Sequence, residues 1–326
     1  MHALALETIA SPPLWVATVA ALIVLLVLDF VVTRRPHEVR MREAVGWSVF
    51  YLALPLLFGA GLWIWAGTTP AVEFFTGYVV EKSLSVDNLF VFMLLLAAFA
   101  VPAALAQRVL LYGIVGALIL RAVFIALGAA ALQSGTWAFL LFGAVLILTA
   151  AKVLKEALSG REHEVDVASL RSVRLLRRFV PVTDGYRGSR LVVREAGRLA
   201  VTPLALAMVA VFATDIVFAV DSVPAVYGVT EDPFLVFATN AFALLGLRAL
   251  YFVLKDMLSK LRHLNHGLAL ILAFIGVKLV LHWAHGVWPQ VPEIPTLASL
   301  GVIVMVLLTV TLTSVRANRR DRRALT

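Results

Sequence analysis

Glu81-Lys-Ser-Leu-Ser-Val-Asp87-Asn88 and Asp215-Ile-Val-Phe-Ala-Val-Asp221-Ser222 are two versions of one octet: an acid, five residues, an acid after valine, then a small polar side chain. Each octet lies inside a long apolar run, where acids are costly to place and their recurrence is therefore informative. The correspondence continues downstream. Leu120-Arg121-Ala122 and Leu247-Arg248-Ala249 occupy the next run of each half, and Lys152 and Lys278 the run after that. Each unit thus holds three apolar runs. If the runs cross a bilayer, an odd number inverts the second unit relative to the first, and the two acidic helices meet about a pseudo-two-fold axis near the midplane.

Composition supports the bilayer. Of 326 residues, 61 % are hydrophobic and 15 % charged, against roughly 45–50 % and about 25 % in soluble domains. Apolar runs near 13–33, 47–67, 74–100, 109–130, 137–154, 202–227, 234–254, 266–283 and 296–315 are each of spanning length. No basic residue precedes the first run and Arg34 and Arg35 follow it, so it reads as a span rather than a cleaved leader. The expected fold is all-α: a polytopic helical membrane protein of about nine transmembrane helices with two inverted three-helix repeats. Residues 1–73 hold two N-terminal helices, 74–158 the first repeat and 159–201 a basic loop. Residues 202–285 hold the second, inverted repeat, and 286–326 the last helix and a basic tail.

The net charge of +8 would suit nucleic acid if it were clustered on a folded surface. It is not. Alternating loops on one side carry 23 of the 28 Lys and Arg, the opposite loops carry none, and Lys82, Arg121, Lys152, Arg248 and Lys278 fall inside spans. By the positive-inside rule the N-terminus is outside and the C-terminus cytoplasmic, and no nucleic-acid partner is expected. Cysteine is absent, which excludes disulfides and thiolate metal sites within the chain. Phosphate loops, nucleophile elbows and His-Glu-x-x-His are also missing, so no enzyme is expected.

The long connection 155–201 contains Leu170 to Phe179, with Leu170, Val173, Leu176 and Phe179 at helical spacing among arginines, an interfacial amphipathic helix by pattern. Alternation around Arg190 to Leu199 predicts a small hairpin. This loop touches membrane lipid or docks a protein partner.

Asp29, Glu81, Lys82, Asp87, Arg121, Lys152, Asp215, Asp221, Arg248 and Lys278 must face one another or water, because lipid exposure costs about 2.5–3.5 kcal/mol each. One reading is a set of structural ion pairs. Asp29 sits near Arg34 and Arg35, while Lys82 and Lys152 can snorkel. Arg121, Arg248 and Lys278 are placed to balance carboxylates. Helical spacing puts Glu81, Ser85 and Asn88 on one face and Asp215, Ala219 and Ser222 on its counterpart, with Asp87 and Asp221 turned about 100° away. Pro224 can loosen its helix and free the Val220 carbonyl. Carboxylates, Asn88, Thr214, Ser222 and that carbonyl form an all-oxygen set suited to manganese, magnesium or calcium. His282 and His285, flanked by Trp283 and Trp288, fit an interfacial belt or an entry-site ligand.

Glu81–Phe92, Leu175–Asp184, Thr214–Ala225 and Asn240–Tyr251 resemble signature segments of the TerC family of integral membrane proteins, and the likeness runs from about Arg34 to Leu281. The resemblance implies a bacterial inner-membrane protein associated with tellurium resistance and, in Alx-like members, with manganese export. It implicates Glu81, Asp87, Asn88, Asp215, Asp221 and Ser222 as metal ligands. This chain has Phe212-Ala-Thr-Asp215 where the family pattern has Glu-Phe-Thr-Asp, so one acid is replaced by Phe212. The expectation is export of a divalent cation, manganese(II) first, by alternating access with proton exchange. The metal is cargo and no resident cofactor is expected; the partners are the metal ion, protons and lipids. The alternative is a non-transporting scaffold of a tellurium or metal stress complex, or a factor assisting metal loading of exported proteins, docking through residues 159–201.

Overall fold

The apolar runs fold into helices that pack side by side. The computed structural model describes residues 8–32, 41–159, 181–195, 198–254 and 263–324. Within them run α1 (Pro12–Val32), α2 (Met41–Ala66), α3 (Thr68–Ala98), α4 (Ala103–Ser134) and α5 (Trp137–Ser159). A two-stranded antiparallel ribbon follows, β1 (Val192–Glu195) with β2 (Arg198–Val201), which is the hairpin expected around Arg190 to Leu199. Then come α6 (Pro203–Tyr227), α7 (Pro233–Leu244), α8 (Leu247–Leu254), α9 (Leu264–Val287) and α10 (Thr296–Ala324). The amphipathic stretch Leu170 to Phe179 lies outside the described residues.

With α7 and α8 forming one crossing between them, the protein is an all-helical polytopic bundle. Eight crossings are long and apolar enough to span a membrane by length and composition alone. The ninth is α3, whose centre carries Glu81, Lys82 and Asp87; its 31 residues extend about 46 Å. Charge is tolerated there because Glu81 is fully buried among other helices. The outward faces of α1, α2 and α10 are apolar and exposed, as lipid-facing helices require: Val16, Ile23, Leu57, Ile64 and Met305 stand on them.

Packing follows the repeat. α3 lies against α6 and α7, α6 against α3 and α4, α4 against α7, and α5 against α9. These are the neighbours that exchanging the two units would interchange or preserve. At the α5–α9 contact a methyl added at Gly143 would stand 2.8 Å from the Gly276 carbonyl, and one at Gly276 would stand 3.0 Å from that of Gly143. Small residues at the crossing let the backbones touch.

Two helix starts are written locally. Thr202 caps α6, its hydroxyl accepting from the Ala205 amide, and Asp232 caps α7, accepting from Phe234 N at 2.8 Å; proline follows each cap. Outside the spans, Tyr186 donates from its hydroxyl to the Phe99 carbonyl at 2.7 Å, fastening the ribbon segment to the end of α3. Burial pushes the Tyr186 phenol up from its ordinary value.

The break in the bundle is not where the proline suggested. α6 runs continuously through Pro224, which lies in its last turn, where a lost hydrogen bond disturbs little. Val220, whose carbonyl was expected to complete a metal shell, points its side chain outward and is 42 % exposed. The interruption falls instead between α7 and α8, at Leu245 and Gly246. Gly246 has φ +68°, and a methyl there would stand 2.6 Å from Cβ of Tyr51 on α2. Both the left-handed backbone and the contact demand glycine.

Candidate functional site

Arg121, on α4, is the centre of the buried polar layer and is 1 % exposed. Glu81 of α3 pairs with its Nη1, which also donates to Oδ1 of Asn240 on α7 at 2.8 Å. Ser85, one turn along α3, donates to Glu81 Oε1 at 3.4 Å. In the amide orientation its neighbours favour, Asn88 donates to the Leu84 carbonyl at 3.1 Å and accepts from Arg121 Nη2 at 3.2 Å. The face predicted from spacing, Glu81 with Ser85 and Asn88, is therefore real, and it is turned onto an arginine. Asp87 belongs to the same helix, and its side chain lies outside the described residues.

The second motif approaches the same guanidinium from α6. Asp215 and Asp221 both act on Arg121 electrostatically, so acids from the two repeats converge on one cationic side chain. Asp215, Ala219 and Ser222 share a buried face, as their spacing predicted. Asp215 is 1 % exposed, yet neither carboxylate oxygen accepts a hydrogen bond from a described residue, and the Ser222 hydroxyl is likewise without a hydrogen-bond partner among them. Thr214 turns its hydroxyl to the Ala210 carbonyl at 2.8 Å, away from ligand duty. Phe212 lays its ring where a methyl on Gly116 would collide with it, so it serves as an apolar wedge between α4 and α6.

Of the cation site expected for Glu81, Asp87, Asn88, Asp215, Asp221 and Ser222, the structure describes every side chain but that of Asp87. Among the described residues no three His, Asp or Glu side chains are grouped closely enough to hold a metal ion. Arg121 pairs with Glu81 and feels the charges of Asp215 and Asp221.

Three further ionisable side chains gain partners that helical spacing did not name. Arg248 of α8 donates to both oxygens of Asp29, from Nε at 3.0 Å and from Nη2, while Arg34 and Arg35 lie outside the described residues. Lys82 does not snorkel; its ammonium donates to the Ala243 carbonyl at 3.1 Å, at the C-terminal end of α7, where the helix dipole favours a cation. His282, read as an interfacial-belt residue or entry-site ligand, bridges two loop carboxylates. Its Nε2 lies 3.4 Å from Glu231 and its Nδ1 2.9 Å from Glu293, joining two loops over a cavity of about 770 Å³ that Glu73, Asp232 and Lys278 also line. Sequence spacing could not find the Arg248–Asp29 or Lys82–Ala243 contacts. Both depend on the Gly246 break, which redirects α8 and opens the end of α7. The glycine within an otherwise apolar run was the one available signal.

Residues 66–322 match the integral membrane protein TerC family. A protein of Escherichia coli (strain K12) named "Putative membrane-bound redox modulator Alx" is 38 % identical over 286 residues, covering 85 % of this chain and 88 % of its own. An uncharacterized membrane protein of Myxococcus xanthus is 42 % identical over 275 residues, 84 % of this chain and 85 % of that one. Another, from Mycobacterium tuberculosis, is 42 % identical over 278 residues, 85 % and 70 % of the two chains. No solved structure matches the chain. With 257 matched residues containing both acidic motifs and the arginines that follow them, the chain belongs to the TerC family of integral membrane proteins.

Proposed function

We propose that this protein exports a divalent cation, manganese(II) first, from the cytosol across a bacterial inner membrane, by alternating access of its two repeats and in exchange for protons. The N-terminus is then outside and the C-terminus cytoplasmic. Asp87 and Asp221 bind the ion, Glu81 and Asp215 form a second tier, and Asn88 and Ser222 complete the shell.

The observation that carries this reading is Asp215: a carboxylate sealed in the bundle whose two oxygens accept no hydrogen bond among the described residues, on the same helix face as the Ser222 hydroxyl, which also lacks a hydrogen-bond partner among them. A group so placed costs stability, which a functional role explains better than a structural one. Arg121 supplies the positive charge in this arrangement, as a tethered stand-in for the cargo. A divalent ion entering among Asp87, Asp215 and Asp221 displaces that influence, and Arg121 retains Glu81 and Asn240. Protons and metal compete for the same carboxylates, which couples metal exit to proton entry.

The redox term in the relatives' names fits through the cargo. The 326 residues contain no cysteine, so thiol chemistry has no donor here, whereas moving a redox-active divalent ion alters cellular redox balance indirectly.

Flux in reconstituted vesicles tests the proposal, with a panel of divalent ions at two pH values. Wild-type protein is expected to move manganese(II) and to move protons in the opposite direction, and Asp215→Asn and Asp221→Asn to lose at least about tenfold in rate. Equal flux in wild type and both variants contradicts the reading. If instead flux survives those variants but a stress phenotype is lost on deleting 170–179, the docking alternative holds.

A further inference from the structure

The two repeats place their arginines at matching positions but use them differently. In the first unit Arg121 engages Glu81, the leading acid of its own motif. By the same correspondence Arg248 would engage Asp215 in the second. It does not. The Gly246 break carries α8 against α2, and there Arg248, 3 % exposed, meets Asp29 of α1 with Nε and Nη2, while Nη1 reaches Gln107 Oε1 at 3.4 Å. Asp29 is itself 5 % exposed and is the only charged residue in α1. The residue left over by this exchange is Asp215, whose oxygens receive no hydrogen bond among the described residues.

We propose that Asp29 is a positioning residue that holds Arg248 off the second acidic motif, so that α1, which lies outside both repeats, sets the charge available to the cation. This rests on the reading that Asp215 belongs to a cation site. With Asp29 in place, Arg248 and its partner sum to zero, and the motif keeps a carboxylate for the ion. Without Asp29 the buried guanidinium has no counter-ion among the described residues, and its charge opposes that of an arriving cation. The asymmetry has a use in a transporter of inverted repeats: the leading acid of one motif is paired internally, and that of the other, Asp215, is left for cargo.

The competing role for Asp29 is to anchor α1. That anchor is not unique, because the other end of α1 is tied independently: the Thr8 hydroxyl and the Ile9 amide donate to Asp232 at 2.9 and 2.8 Å.

The test is manganese(II) binding to full-length protein in lipid nanodiscs, with free metal followed by electron paramagnetic resonance, for wild type, Asp29→Asn and the double variant Asp29→Asn/Arg248→Gln. The charge role predicts that Asp29→Asn raises the half-saturating metal concentration at least about tenfold, since an uncompensated charge in a low-dielectric interior repels a divalent ion over a long range. The double variant then returns to within about twofold of wild type. An anchoring role predicts no rescue, because neither variant has the ion pair. Wild-type affinity in Asp29→Asn, or a double variant as weak as the single, overturns the inference while leaving the cation site standing. If wild-type protein binds neither manganese(II) nor another divalent ion of the panel, the site reading fails and this inference with it. Should Asp29→Asn not reach the membrane, the double variant against wild type decides: equal affinity supports the charge role, and weakened affinity overturns it.

Discussion

Replacing Glu81 by glutamine keeps the shape of the side chain and removes its charge, which isolates what the ion pair does for the fold. Arg121 is 1 % exposed and Glu81 is fully buried, so Glu81→Gln strands a guanidinium inside the bundle. Breaking a buried pair from one side costs about 3–5 kcal/mol. Two features bring the value to the lower end. Asn240 still accepts from Arg121 at 2.8 Å, and Asp215 and Asp221 still oppose its charge. A loss of about 3 kcal/mol corresponds to a fall of at least about 5 °C in thermal midpoint. The assay is thermal unfolding of purified, detergent-solubilised protein, with soluble monodisperse material scored by size exclusion of a fluorescent fusion. Asp215→Asn is the matched control: it also removes one buried acid, but one that accepts no hydrogen bond among the described residues, and its midpoint should stay within about 2 °C of wild type. The double variant Glu81→Gln/Arg121→Gln should recover most of the loss. If Glu81→Gln melts with wild type, or if both acid-to-amide changes destabilise equally, the assignment of a structural role to Glu81 and a functional one to Asp215 is refuted.

Gly246→Ala places a methyl 2.6 Å from Tyr51 Cβ at φ +68°, and should lower the yield of folded protein by more than about 2 kcal/mol of stability permits; a wild-type thermal midpoint would show that the α7–α8 break is not needed. Lys82→Met removes the donor to the Ala243 carbonyl and should cost about 1–2 kcal/mol by the same unfolding assay, whereas Lys82→Arg retains a donor and most of the stability. Tyr186→Phe loses the bond to the Phe99 carbonyl and should increase proteolysis near residues 181–195. Burial raises the Tyr186 pKa, so its contribution is present at neutral pH and lost only on the alkaline side, as pH climbs through the raised value; protection that vanishes below neutral pH would contradict the contact.

Eight crossings among the described residues were legible because lipid-facing helices must be apolar along their whole length, and a run of about 20 such residues has few other uses; the charged α3 was legible from the apolar flanks of its centre. The buried faces of the two motifs were legible for a related reason: helical period alone places Glu81 with Ser85 and Asn88, and Asp215 with Ser222. Pairing was not. Asp29 and Arg248 are 219 positions apart, and which acid meets which base depends on helix tilt, crossing point and the turn at Gly246. Proline at position 224 pointed to the wrong break, because its cost depends on distance from the helix end, and that end was set by the following loop. The amino-acid order therefore determined that charged side chains had to be buried together, since hydrocarbon leaves them no alternative. Only the packed helices decided which charges cancel and which carboxylate is left over, because electrostatic partners are chosen by proximity in three dimensions, and proximity here is made by a kink that no periodicity announces.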